Sequence, residues 1–130
     1  MPHVVLEGTL DCRQVVDRLP RQVYRWGRAV LKTEECWLRA DAAAVLVEGV
    51  VVEHVRPLHP VAILASRDGL ATVRLWPTAP VERTRPVQRW LALLAVELVA
   101  LGLGPVVSSS LAEGVVGDLP PLSQAASPPA

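Results

Sequence analysis

Phenylalanine is absent from this chain of 130 residues, and methionine and tyrosine occur once each. Lysine is nearly absent too: Lys32 is alone beside 12 arginines. That usage fits a high-GC bacterial genome more than a particular chemistry. Thirteen basic and thirteen acidic residues leave no net charge, so the chain has no electrostatic footprint for nucleic acid and no polybasic patch for an anionic membrane. There are two cysteines, Cys12 and Cys36, and three histidines at 3, 54 and 59. None has zinc-type spacing, so no metal is expected, and the cysteines read as buried thiols of a cytoplasmic protein. A phosphate-binding glycine loop and a nucleophile elbow are both missing.

Long apolar runs are scarce as well. Residues 90–103 come nearest, but Glu97 interrupts them and Gly102, Gly104 and Pro105 end them. A spanning helix needs about 20 apolar residues. This stretch reads as a buried core helix, and the opening residues lack the basic and apolar regions of a secretory signal. What is present is apolar material: 51% hydrophobic against 20% charged, enough for a single core.

The periodicity gives an α+β order. His3 to Leu6 suits a buried strand. Apolar residues Val15, Val16, Leu19, Val23, Trp26 and Val30 recur at helical steps, and Pro20 suits a first helical position, so the spacing predicts a helix over residues 20–31 with residues 11–19 leading in. Arg21, Arg25 and Arg28 would share one solvated face of it. Strands follow at residues 36–40, 45–55, 61–65 and 70–76, the last two joined as a hairpin through Asp68-Gly69. A second helix begins between residues 81 and 86 and ends near Leu101. It is apolar on most of its circumference, which favours cover by a second subunit. Val106-Val107 and Val115-Val116 are further strand candidates. The domain is expected over residues 1–116, with a disordered Pro/Ser/Ala-rich tail over residues 117–130. An antiparallel-rich sheet with both helices on one face accommodates this order.

Chemistry concentrates at the beginning. Proline after an initiator methionine permits removal of that methionine, leaving a secondary amine. An apolar pocket or an adjacent arginine lowers the pKa of such an amine and makes it a general base near neutrality. Met1-Pro2-His3, the apolar Val4-Val5-Leu6, Glu7 and the later Leu19-Pro20 pair together resemble the opening of the tautomerase superfamily, closest to 5-carboxymethyl-2-hydroxymuconate isomerase-like proteins. The resemblance implies a β-α-β unit, here with an extra antiparallel hairpin, assembled as a trimer or hexamer. It implies catalytic Pro2 shuttling a proton between carbon and oxygen of an enol or unsaturated α-keto acid. Arg39 would hold the carboxylate of a small-molecule substrate, and Arg74 or Arg83 would polarise the developing enolate. No cofactor, nucleic acid or membrane enters that scheme. The alternative is a non-catalytic oligomerisation or partner-binding module, which valine-rich strands and a greasy helix suit equally.

Overall fold

The computed structural model describes residues 2–116, so the expected tail at 117–130 lies outside the described residues. The chain is α+β. It forms β1 (His3–Glu7), α1 (Cys12–Arg18), β2 (Val23–Trp26), β3 (Ala29–Leu38), β4 (Ala44–Val52), β5 (Pro57–Leu58), β6 (Val61–Arg67), β7 (Leu70–Leu75), α2 (Arg85–Ala100) and β8 (Val106–Ser109). One eight-stranded sheet runs in the order β2-β3-β4-β6-β7-β1-β8, with β5 added beside β4. All of its pairings are antiparallel.

The first helix lies earlier than the periodicity predicts. Asp11 caps it by accepting a hydrogen bond from the Gln14 amide at 3.2 Å, and Leu19 leaves it with ψ near 122°. A residue before proline is pushed out of the helical region, so Pro20 ends the helix where a beginning was expected. Residues 20–31 instead enter the β2–β3 hairpin, turned by Gly27 at φ 59°. Arg21, Arg25 and Arg28 therefore share no helical face. The candidate strand at 36–40 is the end of the ten-residue β3, which bulges between Thr33 and Cys36. The β6–β7 hairpin forms as expected, with Asp68 and Gly69 both at positive φ. Val115 and Val116 form no strand, although Val115 is buried and its carbonyl accepts from Arg89 Nη1 at 2.8 Å.

Thr84 accepts from the Val87 amide to cap α2, and Pro86 sits in its first turn, where no amide partner is lost. The helix is buried on nearly every side, as its composition predicts. Its cover is the chain's own sheet. Central strands β3, β4, β7 and β1 pack against it, while edge strand β2 reaches round: Tyr24 donates to Glu97 Oε1 at 2.9 Å, and the Arg89 guanidinium lies 5.2 Å from the Trp26 ring centre. The sheet thus curls about α2, and burial of this helix requires no second subunit. The first helix joins the same core, with Gln14 and Val15 facing Leu98 and Leu101 across a shared cavity.

The β-α-β element that the resemblance implies has no adjacent parallel pair here. Strands β1 and β2, joined through α1, stand five steps apart in the sheet. Strands β7 and β8, joined through α2, run parallel but flank β1.

Candidate functional site

Strand alternation divides the sheet into two faces. Val4, Leu6, Val45, Val47, Leu64 and Val73 are sealed on the inner face beneath the helices. The outer face carries a continuous cross-strand row: Trp37 opposite Leu46, Leu46 opposite Ile63, Ile63 opposite Arg74, and Arg74 opposite His3. His3 and Ser110 close the row, with Ser110 Oγ 3.0 Å from His3 Nδ1.

A groove of about 210 Å³ opens on this face, lined by Trp37, Leu38, Arg39, Ala44, Leu46, Ile63 and Trp76. Its floor is apolar, because Ala44 leaves room and the neighbouring side chains cover Ile63 to 6% exposure. Trp37 forms one wall and remains 55% exposed, with its indole N–H donating to Glu48. An aromatic side chain left so bare beside an apolar floor is a marker of an interaction surface.

The sequence-expected residues divide between the faces. Arg39 lines the groove but is engaged within the chain. Its Nε and Nη2 donate to Asp41 Oδ1 and Oδ2 at 2.8 and 2.5 Å. Together with the Ala43 amide, that fork pulls the Asp41 carboxyl down to about 2. Arg74 is exposed on β7 beside Ile63, and no hydrogen bond or ion pair holds it among the described residues. Pro2 is buried, and the alternation through Val4 and Leu6 puts it on the inner side. Its position continues the β1–β7 register to Leu75. Arg83 lies near that end of β7, lining a recess of about 70 Å³ with Leu75, Trp76 and Val81.

The fold therefore places Arg39 in the groove, Arg74 next to its Ile63 floor and Arg83 towards the Pro2 end, but keeps Arg39 and Pro2 apart. Three strands separate β3 from β1, roughly 19 Å along the sheet at about 4.8 Å per step. Trp37, Trp76 and Ile63 were not singled out from the sequence. Trp37 alternates with the buried Cys36, which is the signal that places it on the opposite face.

Both thiols are free and buried, and burial raises the pKa of each. Among the described residues no cluster of metal-ligating side chains occurs, and no helix is long and apolar enough to cross a membrane. No protein-family model, curated protein or solved structure matches this chain.

Proposed function

We propose that this chain is a non-catalytic interaction module that works through the outer face of its sheet. The observation that carries the reading is the Trp37–Trp76 groove, an apolar depression with an exposed indole wall and the unengaged Arg74 beside it. A cytoplasmic setting belongs to the same proposal.

The second reading is the tautomerase-like one, with its β-α-β unit, catalytic Pro2, carboxylate substrate and trimeric or hexameric assembly. Burial of Pro2 favours it, since desolvation disfavours a charged amine. Space weighs against it. The recess at the Pro2 end of β7 holds about 70 Å³, whereas small-molecule sites run to about 300–1,000 Å³.

A ketonisation assay separates the two. Natively expressed protein, its N-terminal residue read by intact mass, is mixed with 2-hydroxymuconate or phenylpyruvate and followed by ultraviolet absorbance. Wild type and Pro2→Ala are expected to share the uncatalysed rate. Turnover that depends on Pro2 would replace this reading with the enzymatic one.

A further inference from the structure

We propose that the outer sheet face docks a second copy of this chain, face to face across a two-fold axis along β6. The inference rests on the interaction-module reading and names its partner.

Size argues first. At about 210 Å³ the groove is smaller than a typical small-molecule site, but a protruding side chain from an opposing surface fits it. Charge argues next. The apolar strip Leu46–Ile63 is flanked on β4 by Glu48 and on β7 by Arg74. An axis along the intervening β6 lays β4 of one copy over β7 of the other. Glu48, level with Val61, then lies one same-face step of about 7 Å along the strand from Arg74 of the other copy, which is level with Ile63, and a long side chain spans that offset. The two-fold makes this contact twice, so the face is complementary to itself. A chain without net charge also brings no long-range repulsion to such an encounter.

Stacked sheets lie about 10 Å apart, with side chains of the facing surfaces interdigitated. In that arrangement the two β6 strands lie over one another, and Trp37 extends over the opposing β1. Trp37, the most exposed tryptophan of the face, leaves water. Glu48 keeps its hydrogen bond from the Trp37 indole, which holds the carboxylate in position.

Sedimentation velocity on the full chain tests this. The expected species is twice the 14.0 kDa chain mass. Glu48→Arg and Arg74→Glu each place like charges opposite one another and should weaken the dimer by roughly tenfold or more. An equimolar mixture of those two variants restores opposite charges at both contacts and should regain the dimer. Arg18→Glu, exposed at the end of α1 away from this face, should leave it intact. A monomeric wild type overturns the proposal, as does a dimer that survives both inversions or a mixture that fails to recover. Failure here is distinct from failure of the module reading, which falls only to Pro2-dependent turnover.

Discussion

Trp90→Ala is expected to cost about 3–5 kcal/mol of folding free energy, a large fraction of what a domain of this size has. Trp90 is fully buried where α2 crosses beneath the sheet, and it is the largest fully buried side chain. Two losses combine. The ring leaves a cavity that β3, β4 and α2 cannot close without moving together, because each is fixed by the curl of the sheet. Its indole N–H also donates to Thr33 Oγ1 at 3.1 Å, and Thr33 is itself 1% exposed. Removing the indole strands a buried hydroxyl, which adds to the cavity term. Urea denaturation followed by far-ultraviolet circular dichroism reads the effect as a fall in midpoint. A change below about 1 kcal/mol would mean that α2 is not the centre of the core.

Gly49→Ala should destabilise by about 1–3 kcal/mol for a reciprocal reason. Gly49 sits on the inner face of β4 opposite Thr33. A methyl group built there would lie 2.5 Å from Trp90 Cζ2 and 2.6 Å from Cε2. The ring cannot retreat, because it is sealed and hydrogen-bonded. In the Trp90→Ala background the clash has no partner, so the same methyl group should cost little and would partly fill the void. The two substitutions should therefore be strongly non-additive, by about 1 kcal/mol or more. Additive losses would show that the close approach of Gly49 and Trp90 is not what limits β4.

Both effects arise at a contact that the sequence does not announce. Gly49 interrupts a run of valines, and nothing local says that an indole from a helix 41 positions later fills the gap. Local chemistry was legible where it was decisive. Asp68-Gly69 specified the β6–β7 hairpin, and α2 begins at Arg85, inside the expected window of residues 81–86. The first helix was misplaced because Val23, Trp26 and Val30 satisfy a helical spacing while belonging to two paired strands. Leu19-Pro20 gave the better signal, since proline constrains the residue before it more firmly than a few apolar residues set a period.

The apolar circumference of α2 was read correctly as burial, but the agent was hidden. Composition cannot say whether a partner or the chain's own sheet covers a helix. Here Tyr24 and Trp26, from an edge strand distant in sequence, complete the cover. The candidate site shows the same limit. Arg39 and Arg74 are chemically conspicuous, but their adjacency to one groove depends on β3, β4, β6 and β7 lying in that order, a long-range fact. Pro2 was the most suggestive residue in the sequence, and strand alternation turns it towards the inner side, away from that groove.

If the outer face pairs two copies of the chain, the indole N–H signals of the four tryptophans should separate into two groups when the protein is serially diluted in an NMR experiment. Those of Trp37 and Trp76 should move with concentration, while that of Trp90, sealed under the sheet, should stay fixed. Trp37 and Trp76 signals that hold still across the whole dilution series would contradict pairing through this face.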